Sequence, residues 1–234
     1  MSTFLFKEFS IRQEYAALKV GTDAMVLGAL IDSSKKSSGI DIGTGTGVIA
    51  MMVAQKNPAI QIKAIEIDDA SCLDVIFNFE NGPFSNQLEL VHADFLKVNF
   101  SEKFDLIFTN PPYYVDALKT QNHRINKAKH ASDLNAETLC QKVNLLLSEK
   151  GEFWLIWPYY SKEDFITSAS KNQLYLKKDI TIQGKPGAPV RSVICFSKNR
   201  NLESEASVFT IRDEFGDYTE EYKKLTLEFH NRKL

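Results

Sequence analysis

Near residue 40 a short apolar run, a glycine-rich turn and an apolar helical pattern follow one another without a break. That succession constrains the fold more than any other feature of the chain. Ile40–Ile42 reads as a strand, Asp41-Ile42-Gly43-Thr44-Gly45-Thr46-Gly47 carries the turn, and Val48–Gln55 reads as a helix closed by Asn57-Pro58. A strand that passes through glycines straight into a helix opens a βαβ unit, and the alternation continues downstream. Gln61–Ile67 reads as a strand, Ala70–Phe79 as a helix stopped by Asn81-Gly82-Pro83, and Leu88–His92 and Phe104–Thr109 as strands. Ala136–Leu147 reads as a helix with its exit at Lys150-Gly151, Glu152–Trp157 as a strand and Lys162–Lys171 as a helix. Tyr175–Ile182 and Val190–Ser197 read as paired strands around the turn Gly184–Pro189. Val208–Arg212 is a candidate edge strand and Thr219–Phe229 a terminal helix. The expected fold is α/β and Rossmann-like. It has a seven-stranded, mostly parallel sheet with helices on both faces and a C-terminal antiparallel strand pair.

The 234 residues suit a single domain. Residues 1–37 would form an N-terminal extension covering the site, 38–200 the core, and 201–234 a C-terminal strand and helix. No apolar run approaches the ~20 residues needed to span a bilayer. The N-terminus mixes charge with aromatics and lacks a signal-peptide pattern. Cys72, Cys140 and Cys195 stand singly, which suggests neither a disulfide frame nor a metal site and points to a reducing cytoplasm. The four histidines show no metal-ligand spacing, so no metal is expected. A net charge of −2 argues against a protein that coats nucleic acid non-specifically, yet leaves room for a local basic patch. The expected state is monomeric.

Glycines at 43, 45 and 47 permit a tight turn and close approach by a ligand. The spacing is G-x-G-x-G preceded by Asp41, and an acid there would repel the pyrophosphate of a dinucleotide. It suits a cationic ligand, and S-adenosylmethionine carries a sulfonium and an ammonium. Glu66, at the end of the second strand, can accept both ribose hydroxyl protons with its two oxygens. Asp68 is its rival for that role, or the cap of the next helix. Asp94, with Ala93 and Phe95, can bond the adenine amino group and pack its ring. Thr44, Ile67 and Asn110 complete this set. Lys19-Val20-Gly21-Thr22-Asp23 precedes the first core strand closely enough to fold over the ligand. Lys19, Thr22 and Asp23 are candidate contacts, the last two at the methionine end; Thr22 or Asp23 could instead cap the helix Met25–Leu30.

Asn110-Pro111-Pro112-Tyr113 follows the fourth strand. An exocyclic amine on an aromatic ring is a poor nucleophile because its lone pair is delocalised. Hydrogen bonds from its two N–H groups to Asn110 Oδ1 and the Pro111 carbonyl would draw the nitrogen toward tetrahedral geometry. Two prolines stiffen the turn and pre-organise those acceptors. Tyr113 offers a face for a planar substrate, and Tyr114 is a second candidate. Beyond the tetrad, Lys119, His123, Arg124, Lys127, Lys129 and His130 occur with one acid nearby, Asp116, which suits contact with phosphates. Lys185 and Arg191, beside the hairpin turn, are further candidates.

Together these residues resemble a class I S-adenosylmethionine-dependent methyltransferase with an N-P-P-Y motif. The segments Phe6-Lys7-Glu8-Phe9-Ser10-Ile11-Arg12-Gln13 and Lys19-Val20-Gly21-Thr22-Asp23 with Leu27-Gly28-Ala29 narrow the resemblance to the bacterial tRNA1(Val) adenine-N6 methyltransferases. So do the basic loop ending at His130 and the C-terminal Gly216-Asp217-Tyr218-Thr219 with Tyr222 and Leu225. The resemblance implies the substrate, the adenosine 3′ of the anticodon in one valine tRNA, and the product, N6-methyladenosine. It implies Asp41, Gly43, Gly45, Glu66 and Asp94 for the cofactor, and Asn110, Pro111, Pro112 and Tyr113 for catalysis. Arg124, Lys127, Lys129, His130, Lys185 and Arg191 would meet RNA. Where such relatives carry Arg near the His130 turn this chain has Lys129, which keeps the charge and loses the bidentate fork. From the residues alone, other acceptors share the N-P-P-Y chemistry. A protein glutamine methyltransferase would need a helical N-terminal domain, for which some thirty-five residues leave little room. A ribosomal-RNA guanine-N2 enzyme more often has Phe after N-P-P. A DNA adenine enzyme needs a target-recognition region, and a degenerate RNA-binding module would lose the cofactor.

Overall fold

Residues 38–92 alternate strand and helix because the apolar runs are separated by the glycine turn at 43–47, by Asn57-Pro58, by the Asp68 cap and by Gly82-Pro83. The computed structural model describes residues 2–111 and 135–231. The core opens with β3 (Ser38–Ile42), α2 (Val48–Lys56), β4 (Gln61–Glu66), α3 (Asp69–Asn81), β5 (Leu88–His92) and β6 (Phe104–Thr109). After the undescribed segment come α4 (Ala136–Leu146), β7 (Leu147–Pro158), a single 3-10 turn at Tyr159–Ser161 and α5 (Lys162–Lys171). The chain ends with β8 (Tyr175–Lys185), β9 (Ala188–Ser197), β10 (Glu205–Thr210) and α6 (Glu220–Thr226). Ahead of the core stand β1 (Thr3–Leu5), β2 (Ser10–Arg12) and α1 (Thr22–Leu30).

The main sheet has the order β10-β8-β9-β7-β6-β3-β4-β5. Strands β5, β4, β3, β6 and β7 pair in parallel, β9 runs antiparallel between β7 and β8, and β10 joins β8 in parallel. The sheet therefore has eight strands among the described residues, where the sequence suggested seven. The eighth, β10, is the candidate edge strand read at Val208–Arg212, displaced three residues toward the N-terminus at its start. Glu205–Val208 are exposed and only Phe209 is buried, so the polar first half carries no periodic signal. A separate antiparallel pair, β1–β2, was also not anticipated. It is held from outside: Phe6 bridges to His230, and the Lys7 N–H donates to the Phe229 carbonyl at 2.9 Å.

Both sheet faces are covered, so the central strands read as unbroken apolar runs. Along β7, Trp154 and Ile156 face the core shared with α1 and α2, while Phe153 and Leu155 face the core of α4 and α5. Along β9, Val193 and Cys195 alternate with Ile194 and Phe196 in the same way.

The N-terminal extension is sewn to the core by polar contacts. Asp74, fully buried on α3, accepts the N–H groups of Tyr15 and Ala16 at 2.7 and 2.8 Å, and the Arg12 guanidinium lies 3.0 Å from its other oxygen. Helix α1 starts after Gly21, an extended cap residue with no side-chain cap bond, so neither Thr22 nor Asp23 caps it. Its other end is closed by Lys56, whose ammonium donates to the carbonyls of Gly28, Ala29 and Ile31. That arrangement satisfies carbonyls a helix end otherwise leaves orphaned.

Candidate active site

The chain order reverses between β3 and β6, the place where open α/β sheets bind ligands, beyond the carboxyl ends of their strands. The register brings the candidate residues to that edge. Thr109 lies opposite Ile42, Ile42 opposite Ile65, and Glu66 opposite His92. The next residue on β6 is Asn110, on β3 Gly43, and beyond β5 come Ala93 and Asp94. The buried Thr109 hydroxyl donates to the Ile42 carbonyl at 2.8 Å and locks β6 to β3 where Asn110 and the glycine turn emerge.

Gly43, Gly45 and Gly47 have φ of +66°, +61° and +81°, values that L side chains rarely adopt. A side chain at Gly43 or Gly45 would meet nothing within 4 Å, so those glycines leave open space at the strand ends. Gly47 differs: a Cβ there would strike the Phe79 ring at 2.5 Å, so its absence serves helix packing. The turn's N–H groups face inward. Those of Gly43 and Thr44 donate to the Ile65 carbonyl at 2.9 and 3.0 Å, that of Gly47 to the Thr44 carbonyl at 2.9 Å, and that of Gly45 to Glu66 Oε2 at 2.8 Å. A dinucleotide loop aims such donors at pyrophosphate; here four are spent on protein acceptors. Asp41, 1% exposed, accepts the Thr44 hydroxyl at 2.7 Å. Burial pushes its carboxyl up to about 7, with a contribution from nearby Glu66, against the Thr44 bond that lowers it. A cationic ligand would favour the ionised form.

Glu66 is buried at the end of β4, and both its oxygens are engaged. Oε1 accepts the N–H groups of Ile67 and Asp68 at 2.9 Å each, and Oε2 accepts that of Gly45. An ionised carboxylate has about four acceptor sites, which leaves one, on Oε2, where the sequence suggested two open oxygens. Asp68 takes the capping role instead, accepting the Ser71 N–H and hydroxyl at 2.9 and 2.8 Å at the start of α3. Ile67 is 36% exposed, an apolar side chain next to the acid and suited to the face of a flat ring. Asp94 Oδ1 accepts the Leu96 N–H at 3.0 Å, and Lys97 lies 3.2 Å from Oδ2. The Phe95 ring is buried in the core of the α4–α5 face, so that side chain packs the protein and not a ligand.

Asn110 is half-buried and Pro111 buried at the mouth of this edge. Pro112, Tyr113, Arg124, Lys127, Lys129 and His130 lie outside the described residues. Lys19 and Thr22 are exposed ahead of α1 and at its first turn. Asp23 instead pairs with Arg191 on β9, Oδ2 to Nε at 2.9 Å. Lys185 is exposed at the tip of the β8–β9 hairpin, whose Pro186-Gly187 turn has Gly187 at φ +74°. Two exposed aromatics escaped the sequence reading: Tyr160, 66% exposed just after β7, and Phe215, 91% exposed just after β10. Nothing local in the sequence separates such rings from core aromatics. Among the described residues no group of His, Cys, Asp and Glu is arranged to hold a metal, and no helix is long and apolar enough to cross a membrane.

Strand order, glycine turn and edge together define an S-adenosylmethionine-dependent methyltransferase. The model of the methyltransferase small domain family matches residues 14–162. A tRNA1(Val) (adenine(37)-N6)-methyltransferase of Flavobacterium psychrophilum is 38% identical over 97% of this chain and 98% of its own length. Proteins of the same description from Bacteroides thetaiotaomicron and Actinobacillus pleuropneumoniae are 36% and 33% identical, each over 97% of this chain and 96% of their own. A predicted O-methyltransferase of Agrobacterium tumefaciens has the same fold, with a TM-score of 0.70 at 18% identity over 88% of this chain and 96% of that one. The chain belongs to the methyltransferase small domain family and, within it, to the group that these tRNA methyltransferase relatives form.

Proposed function

We propose that the chain transfers a methyl group from S-adenosylmethionine to the exocyclic N6 of adenosine 37, just 3′ of the anticodon, in valine tRNA. The observation that carries this reading is the register at β3–β6, which sets Asn110 beside the open-sided Gly43–Gly45 turn. The near-full-length likeness to the relatives supplies the substrate.

The residues present fit the cofactor. Gly43 and Gly45 leave room at the strand ends, Asp41 is a buried carboxyl suited to a nearby cation, and Glu66 keeps one acceptor site for a ribose hydroxyl. Ile67 would cover one face of the adenine and Asp94 would meet its edge. When bound, S-adenosylmethionine supplies an electrophilic methyl group on a positively charged sulfur.

The protein prepares the nucleophile. The target base is turned out of the anticodon loop, which costs a few kcal/mol and less in a loop than in a duplex. Asn110 Oδ1 and the Pro111 carbonyl each accept one N–H of the amine. These bonds hold the nitrogen with its lone pair out of the ring π-system and pointed at the cofactor half of the edge. Tyr113 is the stacking face by resemblance. The proton leaves after alkylation has made the nitrogen acidic, so no strong base is required. We place the enzyme in the cytoplasm, as a monomer.

The test is to incubate the protein with methyl-labelled S-adenosylmethionine and unmodified valine tRNA transcript, digest the RNA and identify the labelled nucleoside. N6-methyladenosine, lost when adenosine 37 is replaced, is the expected result. Labelled guanosine would move the assignment to guanine-N2 chemistry. No label in RNA, with cofactor still bound, would overturn the tRNA reading.

A further inference from the structure

The chain that follows β10 forms a tightly built turn. The Ile211 and Arg212 N–H groups donate to the carbonyls of Gln183 and Gly184 at 2.9 and 3.2 Å, extending the β8 hairpin. The Thr219 N–H closes back on the Ile211 carbonyl at 3.0 Å. Asp213 Oδ1 accepts three N–H groups, from Phe215, Gly216 and Asp217, at 3.0, 2.9 and 3.0 Å. Gly216 supplies the left-handed φ of +96°. The Arg212 guanidinium lies 4.1 Å from the Tyr218 ring centre and donates to the Gly216 carbonyl at 2.6 Å, and Tyr218 stacks on Tyr222 at 4.6 Å. The turn thus needs Asp213, Gly216, Arg212 and Tyr218. It has no use for the ring at its tip, and Phe215 stands 91% exposed.

β6, β7, β8 and β10 run in one direction, so this tip stands over the same sheet edge as Asn110. We infer that Phe215 is a stacking platform for an unpaired nucleobase of the RNA substrate, away from the methylated base. The inference rests on the proposed function. RNA is recognised where unstacked bases meet aromatic faces, and an anticodon loop brings several such bases to this edge. Strands lie ~4.8 Å apart, so four spacings put β10 roughly 19 Å from β6. That is a reach of several nucleotides, too far for the target's own ring. Asp213, Glu214 and Asp217 flank the ring and would repel phosphate, so the contact is made through the base. Phosphate contact falls to the neighbouring hairpin, where Lys185 is exposed.

The test measures direct binding of unmodified valine tRNA to the full chain and to Phe215→Ala, Phe215→Leu and Phe215→Trp across a salt series. Cofactor affinity and melting temperature are measured alongside. Alanine is expected to weaken tRNA binding roughly five- to a hundredfold. The slope of log affinity against log salt, the cofactor affinity and the melting temperature should stay as in the wild type. Tryptophan should restore binding and leucine should not. Wild-type affinity in Phe215→Ala, rescue by leucine equal to that by tryptophan, or a loss accompanied by a changed salt slope would each overturn the stacking role. Methyl transfer is scored separately. Phe215-dependent binding by a wild-type protein that leaves adenosine 37 unmethylated would refute the proposed function and leave the stacking surface standing.

Discussion

Arg191 Nε lies 2.9 Å from Asp23 Oδ2, joining β9 to the first turn of α1. The first residue is a candidate for RNA and the second for the methionine end of the cofactor, so the pair links the two halves of the edge. Both side chains are about one third exposed, so the ion pair itself adds little stability, ~0.5 kcal/mol. Its consequence lies in binding. Removing a phosphate-binding cation reduces the salt slope of RNA binding by about 1. Arg191→Ala is expected to weaken tRNA binding and flatten that slope with melting nearly unchanged. An unaltered slope would leave Arg191 as a strut for Asp23.

Asn110→Ala should abolish methyl transfer while cofactor affinity, read by calorimetry, stays within about twofold. Loss of one pre-organised hydrogen-bond donor from an oxyanion hole costs about 10²–10³ in turnover, and the loss of an oriented acceptor at the reacting nitrogen should be at least on that order. The substituted side chain leaves the Thr109–Ile42 bond, and hence the turn, in place. Turnover near the wild-type value would remove the acceptor role.

Asp41 sets a pH dependence whose sign follows from burial. Its folded carboxyl titrates at about 7, above the ordinary 3.8, so the folded chain holds a proton that the unfolded chain releases between those values. This group's contribution to stability is therefore full below pH ~4 and is lost as pH rises to about 7. A cationic ligand binds the ionised form, so cofactor affinity should rise about tenfold from pH 6 to pH 8 and then level off. Asp41→Asn should bind more weakly and without that slope. Parallel pH profiles for the two proteins would refute the assignment.

Much of this edge was legible because both faces of the sheet are buried. Leu88–His92, Phe104–Thr109 and Lys162–Lys171 occur as read, since continuous apolar runs and bounded helical patterns are local signals. The β1–β2 pair was not legible, because what holds it is remote: Arg12 meets Asn78, 66 residues away. The same limit applies inside the site. Glu66 reads as an acid open to ribose, but three backbone N–H groups, one of them 21 residues upstream, already occupy it. Phe95 reads as a ring for adenine, yet it points into the α4–α5 core because Asp94 turns the chain after β5. Capping, the alternative reading of Thr22 and Asp23, fails because the extended residue that begins α1 is Gly21.

Asn78 on α3 links the N-terminal extension to the glycine turn. Its Oδ1 accepts the Arg12 N–H at 2.7 Å, and its Nδ2 donates to the carbonyls of Arg12 and Thr46 at 2.9 Å each. The side chain is 2% exposed, so Asn78→Leu would strand three backbone groups that water cannot readily reach. Each such group costs ~1–3 kcal/mol, and with some relaxation the total should be about 3–5 kcal/mol. For a chain of this length that corresponds to a fall of roughly 6–20 °C in melting temperature. Because Thr46 belongs to the turn, the damage should extend to the site. The rise in melting temperature produced by S-adenosylmethionine should shrink in the variant, although Asn78 is not among the proposed ligand contacts. Destabilisation with a full cofactor-induced shift would show that the extension and the turn are held independently. A reduced shift would make Asn78 a positioning residue for the cofactor half of the edge.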